Sequence, residues 1–166
     1  MRERDSEPAT KNRTIVARKS ELELVVTRTF DAPPRIVFEA WTRPELFMRW
    51  WAPRSAGVPI LSCEMDVRPG GGYRISFGRD AANAMTFFGQ YLEVVPSSRL
   101  VWTNEEDDGA PVTTLTLEDA GGRTLLTLHE LYPTKEALDE AMAGMADSMP
   151  EQFAQLDELL AEMEAG

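Results

Sequence analysis

The chain has a single cysteine and a single histidine in 166 residues, and each scarcity removes a class of chemistry. Cys63 has no partner for an internal disulfide and no second thiol for a zinc site, so it reads as a buried structural thiol. His129, within Thr127-Leu128-His129-Glu130, lacks the nucleophile or further ligands that a catalytic triad or zinc centre needs at fixed geometry. It reads as a strand-end residue hydrogen-bonded to a neighbour. No run of about 18 apolar residues occurs, and the opening MRERDSEPATKNR has no apolar centre for a secretory signal, so the expected location is cytoplasmic. Basic residues are scarce at the other end. Residues 105–166 hold two of them against sixteen acidic ones, a local charge of −14 that exceeds the net −11 of the whole chain. A surface of that sign repels phosphate backbones and anionic lipid, so neither nucleic acid nor a membrane is an expected partner.

Two further stretches lack what a cofactor or metal would require. Arg68-Pro69-Gly70-Gly71-Gly72 has no Gly-Lys-Ser/Thr and joins two strands, which makes it a hairpin with a bulge and not a phosphate loop. Glu105-Glu106-Asp107-Asp108 has neither spaced ligands nor a returning carboxylate for calcium, and reads as a solvated turn. No cofactor, metal ion or catalytic residue is assigned.

What is present is a concentration of aromatic residues. The stretch TFDAPPRIVFEAWTRPELFMRWWAP, residues 29–53, contains three of the four tryptophans, with three phenylalanines and four prolines. Before it, Leu22, Leu24, Val26 and Phe30 alternate with polar residues in the period-two pattern of a half-buried strand. Arg28 falls on that apolar side and must reach solvent, a carboxylate or a polar ligand. Pro33-Pro34 stops the strand and opens a short helix with Ile36, Val37, Ala40 and Trp41 on one face. Thr42-Arg43-Pro44-Glu45 resembles a capping box and starts a second helix, which Pro53 ends.

Six further strands are expected, over 60–67, 73–77, 85–95, 99–104, 112–118 and 124–131, separated by turn chemistry. Strands following one another at hairpin spacing imply an α+β domain with a seven-stranded antiparallel sheet. The residues from Thr134 onward are helical, with Met142, Met145, Met149, Phe153, Leu156, Leu160 and Met163 in one stripe. Pro150, after Ser148, predicts a kink or restart that divides this helix into two segments. A polar tail disordered through residue 19 and one domain over 20–166 complete the organisation.

A long sheet must curl, and one helix laid along its concave side leaves space between them, so an apolar cavity is expected. Its candidate lining comprises Trp41, Phe47, Trp51, Phe77 and Trp102, with Met142, Met145, Met149 and Phe153 from the last helix. Polar candidates for the interior are Arg28, Glu64, Arg74, Tyr91 and His129.

Six co-linear runs carry a family resemblance. They are Thr27-Arg28-Thr29-Phe30-Asp31-Ala32-Pro33 followed by Val37-Phe38 and Ala40-Trp41-Thr42; Trp50-Trp51-Ala52-Pro53; Asp66-Val67-Arg68-Pro69-Gly70-Gly71; and Arg99-Leu100-Val101-Trp102-Thr103. The chain resembles the SRPBCC (START-like) superfamily and, within it, bacterial homologues of the activator of the 90-kDa heat-shock chaperone's ATPase. The resemblance implies a helix-grip fold, in which the sheet holds the C-terminal helix. It also implies a binding module for a small hydrophobic molecule, or a stress-response domain that docks on a chaperone or other protein partner. The superfamily further contains polyketide cyclases, so a cyclase or dehydratase using Arg74, Tyr91 or His129 is the alternative. Gly144-Met145 and Pro150 depart from the family pattern on the helix that would roof the cavity.

Overall fold

The computed structural model describes residues 13–106 and 108–165. The strands are β1 (Ile15–Arg18), β2 (Glu23–Phe30), β3 (Ile60–Met65), β4 (Gly72–Phe77), β5 (Met85–Val95), β6 (Arg99–Thr103), β7 (Val112–Asp119) and β8 (Thr124–Leu131). Two short helices, α1 (Pro34–Thr42) and α2 (Pro44–Trp50), separate β2 from β3, and α3 (Lys135–Ala165) ends the chain. The strands form one sheet in the order β1-β2-β8-β7-β6-β5-β4-β3, with every neighbouring pair antiparallel. This is the α+β helix-grip arrangement, with eight strands where the sequence pattern predicted seven.

The additional strand lies inside the segment expected to be a disordered tail; residues 1–12 of that tail lie outside the described residues. Of the four β1 residues, Val16 packs on the core while Ile15 is exposed, so the strand is too short to display alternation. It is held by backbone pairing to β2 and by Arg18, whose guanidinium lies 2.5 Å from Asp139 on α3.

The curl of the sheet is built into β5. Its first half pairs with β4, from Gly72↔Gln90 to Phe77↔Met85; its second half pairs with β6, from Tyr91↔Trp102 to Val95↔Arg99, with a register shift between Tyr91 and Glu93. Gly89 sits at the change of partner. A Cβ there would stand 2.0 Å from the Thr103 carbonyl oxygen, so only glycine permits the crossing. Gly71 meets the same restriction, with a built Cβ 2.0 Å from the Asp66 carbonyl oxygen.

Pro34 opens α1 at a position where its missing N–H is not needed. The Thr42 capping box does not form. The Thr42 hydroxyl donates back to the Phe38 carbonyl at 2.8 Å, and extended Arg43 separates the helices without a side-chain cap. A hydroxyl that can bond the preceding turn competes with its own capping role. Thr134 does cap α3, accepting from the Ala137 amide at 3.1 Å.

The kink expected at Pro150 is also absent as a break, since α3 runs through the proline as one helix. Both ends of α3 are fixed by burial. Leu138 packs with Leu24 and Tyr132 near its start, and Phe153, Leu156, Leu159 and Leu160 enter the main core near its end. This tertiary packing outweighs the local cost of one proline. Phe153 meets Phe30 of β2 edge-on at 5.5 Å, and Trp50 fixes the helix corner by donating its indole N–H to the Ala40 carbonyl at 2.9 Å.

Candidate functional site: a cavity between sheet and helix

A cavity of about 400 Å³ lies between the concave face of the sheet, the α1–α2 corner and the middle of α3. Its wall is mostly apolar. Of the residues singled out in the sequence, Trp41, Phe47, Trp51, Phe77, Tyr91, Trp102, Met145 and Met149 border it. Trp51 stacks on Phe47 at 5.7 Å and receives the edges of Phe77 and Phe87 at 5.7 and 5.3 Å. Trp41 is the deeper of the two, 6% exposed, with Trp50 at 4.8 Å and Trp102 at 5.9 Å.

Six candidates lie elsewhere. Arg28 does face α3, but its guanidinium is taken by Asp157 and by the Thr14 hydroxyl, the latter at 2.7 Å. Glu64 and Arg74 are cross-strand partners on the exposed face, because their neighbours Cys63, Met65, Tyr73 and Ile75 take the inner positions. His129 also points outward and pairs with Glu23 at 2.8 Å, the strand-end hydrogen bond expected of it. Met142 joins the small cluster around Leu24 and Tyr132, and Phe153 fills the core behind Trp41 and Trp50. Cys63 is half-buried, and its thiol is pushed up to about 11 by burial, so it is an unreactive packing residue.

Sequence reasoning missed the polar end of the cavity. One cross-strand row on the inner face runs Tyr91↔Trp102, Trp102↔Thr113 and Thr113↔Glu130, placing a carboxyl group in line with two aromatic rings. Glu130 accepts from the Tyr132 hydroxyl at 2.6 Å and from the Thr113 hydroxyl at 3.2 Å. Asn104 continues the network, donating to the Thr113 hydroxyl oxygen at 2.9 Å and to the Pro111 carbonyl at 2.7 Å. Tyr73 donates to the Thr103 carbonyl at 2.7 Å, with its hydroxyl 3.0 Å from the Asn104 amide oxygen. Glu106 borders the same end.

Burial raises the Glu130 carboxyl above the ordinary carboxylate range, and the nearby Glu106 charge adds to the rise, while the two hydroxyl donors oppose it. Burial is likewise the main cause that raises the Tyr73, Tyr91 and Tyr132 phenols. The signal for Glu130 was present in the sequence. The alternation that buries Leu126 and Leu128 also turns Glu130 inward and His129 outward.

The rim is fixed by α3. Gln155 is buried and donates to the Trp50 and Ala52 carbonyls at 2.9 and 3.0 Å, while its own carbonyl accepts the Arg54 amide at 2.8 Å. Gln152 donates to the Trp51 carbonyl. These bonds satisfy backbone groups that the short α2 leaves open at its end, and so hold Trp51 over the cavity.

Among the described residues, no helix is long and apolar enough to cross a membrane, and no group of three or more His, Cys, Asp or Glu is placed to hold a metal ion. Similar architectures occur among solved structures. A crystal structure of a Rhodobacter sphaeroides protein is 28% identical, with a TM-score of 0.83, covering 90% of this chain and 99% of its own. One from Nitrosomonas europaea is 25% identical, with a TM-score of 0.78, covering 90% of this chain and 100% of its own. The solution structure of an AHSA1-like protein from Aeromonas hydrophila, 18% identical with a TM-score of 0.67, covers 81% of this chain and 92% of its own and shares the fold. No curated protein matches the chain. The family described as Activator of Hsp90 ATPase homolog 1-like protein matches residues 31–161, from the residue after β2 to the last turns of α3, and the chain belongs to that family.

Proposed function

We propose that this protein is a binding module for a small, largely apolar molecule held between the sheet and α3. The observation that carries the reading is the cavity of about 400 Å³, bordered by Trp41, Phe47, Trp51, Phe77 and Phe87 and closed at one end by a hydrogen-bonded polar group. Its size lies within the range of small-molecule sites, and a mostly apolar wall with a few placed polar groups is what such sites require. Met145 and Met149 in the roof add side chains that adapt to guests of different shape. Native mass spectrometry of the gently purified protein tests this directly. A co-purifying apolar guest, displaced less readily from wild type than from Trp51→Ala, is the expected result; a protein that never takes up apolar compounds of fitting size refutes it.

A second reading rests on Glu130. A carboxyl group whose hold on its proton is strengthened by burial, beside the Tyr132 and Thr113 hydroxyls, has what a general acid of a cyclase or dehydratase needs. Turnover of a polyketide-like substrate, abolished by Glu130→Gln with guest affinity retained, would favour catalysis over binding alone. The family description also names the activator of a chaperone ATPase. Adding this protein to an ATPase assay of the 90-kDa heat-shock chaperone measures whether that action extends to it.

A further inference from the structure

The polar end of the cavity limits the chemistry of the guest. Around Glu130, the available hydrogens are already spent inside the protein. The Tyr132 and Thr113 hydroxyls donate to the Glu130 carboxylate, both Asn104 amide hydrogens go to the Pro111 carbonyl and the Thr113 oxygen, and the Tyr73 hydroxyl donates to the Thr103 carbonyl. What this network offers a guest is acceptor capacity, since each carboxylate oxygen takes more than one hydrogen bond. Glu106 sits close enough to act electrostatically on both Glu130 and Tyr73, so the same end carries a second negative group.

The flanking wall is aromatic. Trp102 is Thr113's neighbour in the inner row, Tyr91 is Trp102's, and the Tyr73 ring lies 5.7 Å from that of Tyr91. Ring faces attract cations, and carboxylates attract them more strongly when water is excluded. An anionic or acceptor-only head group would meet repulsion from Glu130 and no donor from Tyr132, Thr113, Asn104 or Tyr73. A protonated amine would meet the Glu130 carboxyl group with its spare lone pairs, the π faces beside it and the field of Glu106.

We propose that the guest of this cavity is an apolar amine, with a hydrocarbon or aromatic body against Trp51 and Phe77 and a protonated nitrogen against Glu130. This rests on the binding reading above and adds the class of ligand. A nitrogen entering as the neutral base would take the proton that a protonated Glu130 carries, and one entering as ammonium would meet the carboxylate. Both routes end in the same ion pair, with protons conserved.

The test uses three probes that share one body: 2-naphthylmethylamine, 2-naphthylmethanol and 2-naphthoate, titrated into the full chain by calorimetry at neutral pH. The amine is expected to bind at least about tenfold more tightly than the alcohol, as a charge-assisted hydrogen bond would give, with naphthoate weakest. Glu130→Gln should bring the amine to within about threefold of the alcohol while leaving the alcohol's affinity nearly unchanged. If the alcohol binds and the amine has no advantage, or if naphthoate equals or exceeds the amine, the proposed head group is wrong while the binding module stands. If none of the three binds, both fall. The wild-type ranking decides the matter even if Glu130→Gln does not fold, and Glu106→Gln supplies a second variant that should reduce the amine's advantage.

Discussion

Trp41 and Trp51 stand ten residues apart and border the same cavity, yet their truncation should have opposite principal effects. Trp41 is 6% exposed and makes ring contacts with Phe47, Trp50, Trp102 and Phe153, with centroids 4.8 to 6.5 Å away. Truncating a buried tryptophan costs about 3–5 kcal/mol, and because its indole borders an existing void, the surroundings gain little by collapsing into the space. For a chain of this size that corresponds to a fall in Tm of about 6–20 °C. Trp51 is half-buried, and its contacts with Phe47, Phe77 and Phe87 are those of a wall, not of a core. Trp51→Ala should cost only about 1–2 kcal/mol of stability but remove most of the affinity for an apolar guest. Urea unfolding of both variants, paired with titration of 2-naphthylmethanol, separates the two roles. Equal losses of stability, or a Trp51→Ala protein that binds as well as wild type, would refute the assignment of Trp51 to the cavity wall.

Gly89→Ala should be among the most damaging single changes, because the added methyl would meet the Thr103 carbonyl oxygen at 2.0 Å where β5 changes partner; a circular-dichroism melt within about 1 kcal/mol of wild type would show that the crossing tolerates a side chain. For Glu130, burial makes the folded protein hold the carboxyl proton more tightly than the unfolded chain does. Its contribution is therefore favourable at low pH and is lost as pH rises through the raised folded value. The stability of Glu130→Gln relative to wild type should accordingly improve from about pH 4 upward and then level off, whereas a difference independent of pH would count against a desolvated carboxyl. Pro150 occupies an exposed position inside α3, so Pro150→Ala should raise stability by up to about 3 kcal/mol; an unchanged Tm would mean that the helix already absorbs the proline without strain.

Elements with strong local signals were legible in the sequence. Met85–Val95 and Thr124–Leu131 have the expected bounds, and the proline-led helices α1 and α2 appear where Pro34 and Pro44 place them. The aromatic wall was legible for the same reason, since bulky residues on alternating or helical positions must turn inward. β1 was not legible, because one inward valine in four residues carries no period. Among polar candidates, the guide failed in an instructive way. Arg74 and His129 were considered because they can do chemistry, but strand alternation sends both outward; applied residue by residue, it would have selected Glu130 and Asn104 instead. Arg28 shows the limit of the pattern itself. Its inward position was correct, but its partner Asp157 is 129 positions away and could be found only by folding the chain.

The manner in which α3 is fixed also has a dynamic consequence. Leu138 secures it near one end and the Phe153–Leu160 segment near the other, and between them the stretch with Ala141, Met145 and Ser148 borders the cavity. That stretch contains Gly144, which has no neighbour within 4 Å of a built Cβ, and is followed by Pro150, so the two weakest helix formers of α3 fall in or beside the part that borders the cavity. Local opening of the domain should therefore begin at this part of α3, with both packed segments still in place, and backbone amide exchange faster here than at Leu138 or Leu156 would show it.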